Sequence, residues 1–207
     1  MTDLWSYLSP AAQAASEFKE KGSSFLGRLA PVSSPEEAAK FVAEQKKRFH
    51  DATHHCWAYR IGWAEGLQER SSDGGEPSHT AGLPIASALE GRGVSDACLV
   101  VIRYFGGVKL GTGGLARAYR TAAQLVLDAA DLRPKVLCAE WEISLPYGAQ
   151  GTVRHAASRL GVRLREAGSA EELLLSASVP KGAAEAFESA LRQASESWKG
   201  GITWRSR

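Results

Sequence analysis

The sequence predicts an α+β protein built as two domains, residues 1–135 and 136–207. Three observations carry this expectation. Short half-buried strands and amphipathic helices are mixed along the first 135 residues. The polar stretch Asp131-Leu132-Arg133-Pro134-Lys135 follows a long helical pattern and holds a proline that cannot continue it. Beyond it the periodicity switches in the order β-α-β-β-α-β, the split-βαβ or ferredoxin-like pattern. A length of 207 residues suits one large domain or two small ones.

Ser24–Ala30 reads as a short half-buried strand. Ser34-Pro35-Glu36-Glu37 is a helix start, with serine as cap, proline at the first helical position and acids in the first turn. That helix runs to about Phe49 and carries Phe41, Val42, Gln45 and Phe49 on one stripe. His54–Gly62 is aromatic-rich and reads as a strand. Residues 64–79 lack periodicity and are expected to be a loop. Ala81–Leu89 is a short helix, and Ala97–Phe105 is a buried strand. Gly113–Ala130 is the clearest helix, with Leu115, Ala118, Tyr119, Ala122, Leu125, Val126 and Ala129 at three- and four-residue spacing. In the second domain Leu137–Leu145, Val162–Ala167, Glu172–Val179 and Gly201–Arg205 read as strands. Gly148–Leu160 and Lys181–Ser195 read as helices. Two helices would cover one face of a four-stranded antiparallel sheet. No chemically loaded cluster stands out there, and the lone His155 sits mid-helix.

Composition excludes several classes. The chain is 44% hydrophobic and 23% charged, a globular balance that argues against wholesale disorder. Its net charge of +2 argues against a polybasic protein that coats nucleic acid by bulk charge, while leaving room for a local basic patch. No apolar run approaches the roughly 18 residues of a membrane span. The start MTDLWSYLSPAAQ lacks a basic region followed by an apolar one, so no signal peptide is expected. Cys56, Cys98 and Cys138 are odd in number and far apart, which argues against a disulfide framework and a structural zinc site. The expected compartment is the cytoplasm, and no cofactor or metal is expected.

Glycine and charge are unevenly spread. Of 21 glycines, 12 fall between Gly62 and Gly114, and seven of these lie from Gly91 to Gly114. From Arg92 to Arg120 there are five basic residues against one acid, Asp96. Residues 138–207 carry nine basic and eight acidic residues, an ordinary solvated surface. Within the basic segment, Arg103 to Tyr119 reads as a strand end, a glycine loop and a helix start. A helix N-terminus exposes unpaired N–H groups and a partial positive charge, and glycines let an anion approach the backbone. Lys109 and Arg117 add fixed charge, and an arginine suits a bidentate grip on phosphate. The reading is an anion site formed by Arg103, Lys109, Gly111, Thr112, Gly113, Gly114 and Arg117, with the alternative for Arg103 that it is buried, pairs with Asp73 or Glu76 and serves only structure. Neither a P-loop nor a dinucleotide fingerprint is present. The same glycines also suffice for turns and close helix–strand packing.

A second cluster is Ser71-Ser72-Asp73-Gly74-Gly75-Glu76-Pro77-Ser78-His79-Thr80-Ala81-Gly82. Its carboxylates, histidine and hydroxyls allow acid–base or metal chemistry. The simpler reading is a turn at Asp-Gly-Gly, with Ser78 or Thr80 capping the next helix. In His54-His55-Cys56 the strand alternation puts His54 and Cys56 on one face and His55 on the other, so the three cannot converge on one zinc.

These residues carry a resemblance. Glu76-Pro77-Ser78…Thr80-Ala81-Gly82, followed by Arg103-Tyr104-Phe105-Gly106-Gly107-Val108-Lys109-Leu110-Gly111-Thr112-Gly113-Gly114-Leu115…Arg117-Ala118-Tyr119, resembles the signature of the YigZ/IMPACT family. Lys21-Gly22-Ser23…Phe25 and Ala52-Thr53-His54…Cys56…Ala58-Tyr59-Arg60 support it. The sequence departs from the family pattern at Gly74, where a second aspartate is usual, and at His79, where glycine is usual. The resemblance implies an N-terminal domain similar to the second domain of a small-subunit ribosomal protein, and a ferredoxin-like C-terminal domain. It also implies a link to translation, since eukaryotic relatives associate with ribosomes. Two functions fit these residues. One is a translation-linked module that binds RNA, the ribosome or another phosphate-bearing partner through the basic glycine face, with no membrane partner and any protein partner unspecified. The other is an enzyme acting on a small phosphorylated substrate with Asp73, Glu76 and His55 beside the loop. His55, Asp73, Glu76 and Thr80 are accordingly further site candidates.

Overall fold

The computed structural model describes residues 5–169 and 171–206. The elements are β1 (Ser6–Pro10), β2 (Ala14–Glu20), β3 (Ser23–Pro31), α1 (Pro35–Arg48), β4 (His54–Ile61), β5 (Gln68–Ser72), α2 (Gly82–Gly91), β6 (Ala97–Tyr104), α3 (Gly111–Asp128) and β7 (Leu132–Val136). After these come β8 (Cys138–Leu145), α4 (Gln150–Arg159), β9 (Arg163–Ser169), β10 (Leu173–Pro180), α5 (Ala184–Ser197) and β11 (Thr203–Ser206). Two units result. One holds Tyr7–Lys135; the other holds the chain from Val136 onward together with Trp5 and Ser6.

The first unit is a five-stranded antiparallel sheet in the order β2-β3-β6-β4-β5. Strand β6 is apolar from Ala97 to Ile102 because both of its faces are covered, and a strand buried on two sides has no solvent face to make polar. Ala97, Leu99 and Val101 share a core with Ile85 and Leu89 of α2 and Tyr119, Ala122 and Val126 of α3. Cys98, Val100 and Ile102 point the other way, into a core with Ala38, Phe41 and Val42 of α1. Helix α1 starts as the sequence predicts. Ser34 is the N-cap and its hydroxyl accepts from Glu37 N at 3.3 Å, while Glu37 reaches back to accept from Ser33 N at 2.7 Å.

Three features depart from the sequence reading. Residues 64–79 are not all loop, because Gln68–Ser72 pairs with β4 as an edge strand. Its exposed, charged sequence is what an edge demands, and it hides the strand from a hydrophobicity pattern. The boundary stretch at 131–135 is mostly strand β7, paired with β1 in a two-stranded sheet. Both short strands are held by remote groups: Leu8 N donates to the Gly93 carbonyl, Ser95 N donates to that of Leu8, and the Asp96 carboxylate accepts from Tyr7 Oη at 2.7 Å and pairs with Lys135. Strand β2, unpredicted, lines β3 as the opposite edge of the sheet.

The second unit follows the expected β-α-β-β-α-β order, with an antiparallel sheet ordered β11-β8-β10-β9. Alternate residues of β8 (Trp141, Ile143, Leu145) and β10 (Leu173, Leu175, Ala177, Val179) join Val153 of α4 and Phe187 and Leu191 of α5 in one core.

Candidate functional site

The sheet register brings distant signature residues to one place. Arg103, near the end of β6, lies opposite Phe25 of β3 and His54 of β4. These three face the α2/α3 side, because they are in phase with Leu99 and Val101 rather than with Val100 and Ile102. The Glu76 side chain is 3% exposed and enters the same space from the loop before α2. Its Oε1 accepts from Arg103 Nη1 at 2.6 Å and from Tyr119 Oη at 2.8 Å. His54 Nε2 is 3.8 Å from the other oxygen, and His54 Nδ1 donates to the Gly74 carbonyl at 3.1 Å. Arg103 Nη2 donates to Ser23 Oγ at 3.2 Å, and that hydroxyl also accepts from Gly106 N at 3.2 Å. Arg103 Nε has no hydrogen-bond partner.

This arrangement takes Arg103 out of the exposed anion surface expected from its spacing. Its guanidinium is buried and neutralised by Glu76, since a buried charge requires a close partner. The remaining candidates do fall together. Lys109, Gly111, Thr112 and Gly113 are exposed, and Gly114 is half-buried. Helix α3 begins without a side-chain cap, and Gly111 adopts φ +71°. Arg117, exposed one turn on, lies near Gly113: a Cβ added there would sit 3.5 Å from Nη1. The first turn of α3 thus has no side-chain cap, with Lys109 two residues before the helix and Arg117 one turn into it. The loop that leads in is anchored at its start. Phe105 N donates to Thr53 Oγ1 at 3.0 Å, and Gly106 lies so close to Gly22 that a Cβ would come within 1.9 Å of its carbonyl carbon.

Asp73 is a scaffold residue. Its Oδ1 accepts from Ala81 N at 2.9 Å and Gly82 N at 2.8 Å, and its Oδ2 accepts from His79 N at 2.9 Å. Burial raises its pKa, but these backbone donors outweigh that and hold the carboxyl below its ordinary value. Asp73, not Ser78 or Thr80, therefore caps α2 from nine residues away. Thr80 is buried, with its hydroxyl donating to the Pro77 carbonyl at 2.6 Å. His79 adopts φ +66°, a conformation glycine takes freely. Gly74, at φ +55°, has no room for a side chain, because a Cβ would lie 2.2 Å from the His55 carbonyl oxygen.

His55 is not beside this cluster. It points to the α1 face, where Nε2 donates to the Phe49 carbonyl at 3.0 Å and burial lowers its pKa. The histidine next to Glu76 is His54. Cys56 is buried, donates to the Asp73 carbonyl at 2.9 Å, and is pushed up to about 12 by burial, so its thiol stays protonated. Burial and its neighbours Cys56 and Glu76 likewise push Tyr119 upward. Among the described residues, no three His, Cys, Asp or Glu side chains are grouped to hold a metal ion. Sequence reasoning did not single out Ser23 or Tyr119 as site residues, although both stand in the runs that carry the resemblance. The strand alternation that separates His54 from His55 was the available signal for the histidine beside Glu76.

The fold and site define an α+β protein whose signature segments meet around one buried carboxylate, with a glycine loop at its edge. The chain belongs to the IMPACT family: residues 21–127 match the Impact N-terminal domain. It is 35% identical over 190 residues to an IMPACT family member of Haemophilus influenzae, covering 91% of this chain and 92% of that one. It is 37% identical over 143 residues to the IMPACT family member YigZ of Escherichia coli, covering 69% and 70%. A crystal structure of a hypothetical protein is similar over 98% of both chains, with 28% identity and a TM-score of 0.66.

Proposed function

We propose that the protein is a translation-linked regulatory or binding protein that engages RNA, the ribosome or another phosphate-bearing partner through the face formed by the Phe105–Leu110 loop and the start of α3. The translation link follows the family resemblance. The observation that carries the surface is the exposed, side-chain-uncapped N-terminus of α3, with Lys109 and Arg117 beside it. Backbone N–H groups, glycines and two flexible cationic side chains suit a phosphate backbone, whose recognition needs charge and close approach rather than a shaped cavity. The enzyme reading gains less support. His55 faces away, Asp73 is occupied by backbone donors, and Cys56 is a buried protonated thiol.

The test is RNA affinity measured against salt for the wild type and for the Lys109→Ala/Arg117→Ala variant. The variant should bind more weakly, and its salt slope should fall by roughly two, about one for each phosphate left without its cation. Identical curves, or no binding by the wild type, would remove the nucleic-acid reading.

A further inference from the structure

A chain of ring and guanidinium contacts runs from the core of the first unit to Phe105. Phe25 is fully buried and meets Tyr119 edge-on, with centroids 5.2 Å apart. The Arg103 guanidinium carbon lies 5.4 Å from the Phe25 ring centroid and 5.3 Å from that of Phe105. Phe105 is 46% exposed. The guanidinium lies against the Phe105 ring, and nearly half of that residue remains open to solvent.

We propose that Phe105 is a base-stacking platform for single-stranded nucleic acid. The inference rests on the phosphate-binding reading of the adjoining loop and names the form of nucleic acid it takes. Stacking on an aromatic face is sequence-tolerant and is open only to unpaired bases, which can be splayed out of a helix. An exposed phenylalanine serves this role when its ring is held in place before the ligand arrives. Here the backbone beneath the ring is anchored and one cation lies against the ring. The backbone at Phe105 is tied to Thr53, and the next residue, Gly106, is tied to Ser23 and wedged against Gly22. The cation beneath the ring is fixed by Glu76 and Ser23. The buried Arg103–Glu76–Tyr119 network thereby acquires a role as the rigid underside of the platform. Two further features suit nucleic acid over an apolar protein patch. Lys109 lies four residues on in the same loop, and among the described residues neither Lys109 nor Arg117 is ion-paired within the chain. A backbone phosphate next to the stacked base would find them there.

The experiment uses the full chain and a single-stranded RNA oligonucleotide carrying 2-aminopurine, with the matching duplex as a second probe. The wild type should bind the single strand more tightly than the duplex and quench the 2-aminopurine fluorescence. Phe105→Leu should weaken single-strand binding by roughly tenfold or more, lose the quenching and leave the salt slope unchanged, because no charge is removed. Phe105→Tyr should retain both affinity and quenching. Equal affinity of Phe105→Leu for RNA would overturn the platform while sparing the phosphate reading. Unquenched fluorescence in the wild-type complex would do the same even if the leucine variant proved unstable. No RNA binding by the wild type would overturn both and leave the exposed ring to a protein partner.

Discussion

Replacing Asp73 with alanine should destabilise the first unit by about 2–4 kcal/mol, although its residue type also suits acid–base chemistry. The magnitude follows from its partners. Helix α2 has no side chain at its N-cap position, Ala81, that can cap it, and the Asp73 carboxylate takes the N–H groups of Ala81, Gly82 and His79 instead. Loss of a helix cap alone costs roughly 1 kcal/mol. Ala81 and Gly82 are buried, so their N–H groups would lose a charged acceptor with little water to replace it, at about 1–3 kcal/mol for each buried group left unpaired. The cap consists of these same two N–H groups, so the figures overlap rather than add, and water can replace the acceptor at the exposed His79; about 2–4 kcal/mol remains. In a unit of this size the melting temperature should fall by roughly 8–15 °C. Asp73→Asn should cost less, about 1–2 kcal/mol, because an amide oxygen can still serve Ala81 and Gly82 while its NH2 opposes the His79 N–H. The pH dependence has a fixed sign. The carboxyl is held below its ordinary value of 3.8, so its stabilisation is complete above that value and is lost as pH falls through the lower folded-state value. The gap between wild type and Asp73→Asn should therefore be widest near neutrality and close in acid. Thermal melting followed by circular dichroism measures all of this. An alanine variant that melts within about 2 °C of the wild type at neutral pH, or a gap that widens on acidification, would refute the capping argument.

Two further outcomes follow from the buried groups. At about pH 8 a thiol reagent should modify Cys138 rapidly and spare Cys56 and Cys98, which are buried and pushed up to about 12; rapid loss of all three native thiols would contradict this. In urea denaturation, Tyr119→Phe should cost about 1–2 kcal/mol by removing one hydrogen bond to Glu76, and Arg103→Met about 3–5 kcal/mol by leaving that carboxylate buried without its cation; equal costs would mean that Glu76 is not held as an ion pair.

What was legible in the sequence was what local physics decides. The start of α1 follows from serine, proline and two acids in order. Strand β6 follows from its unbroken apolar run, and α3 from its spacing. The second unit follows from alternation in β8 and β10 and two amphipathic helices. What was not legible depends on partners far along the chain. Strand β5 is exposed and charged, and exists because β4 offers it an edge. Strands β1 and β7 pair with each other and are tied to the 93–96 turn by Leu8, Tyr7 and Lys135, none of which announces a strand. The cap of α2 likewise could not be read locally, because the nearest Ser and Thr have the right chemistry and lose to an aspartate whose loop folds back over the helix start.

The candidate site divides along the same line. Lys109, Gly111 to Gly114 and Arg117 are close in sequence, so a strand, turn and helix suffice to gather them. Arg103 belongs to the same run yet behaves differently, because β-strand alternation is a stronger constraint than proximity. Being in phase with Leu99 and Val101 sends its side chain under the sheet toward Glu76, while the chain turns out at Phe105 to reach the surface. A single residue of phase likewise separates His54, beside the carboxylate, from His55, on the far face of the same strand. Residue types that suggest acid–base chemistry thus sit here as a buried ion pair, a remote helix cap and a protonated thiol. Buried charge of this kind is tolerated when it fixes a geometry. The geometry fixed here is that of the chain around Phe105 and Gly106, and the proposed binding face is the part of the signature that meets solvent.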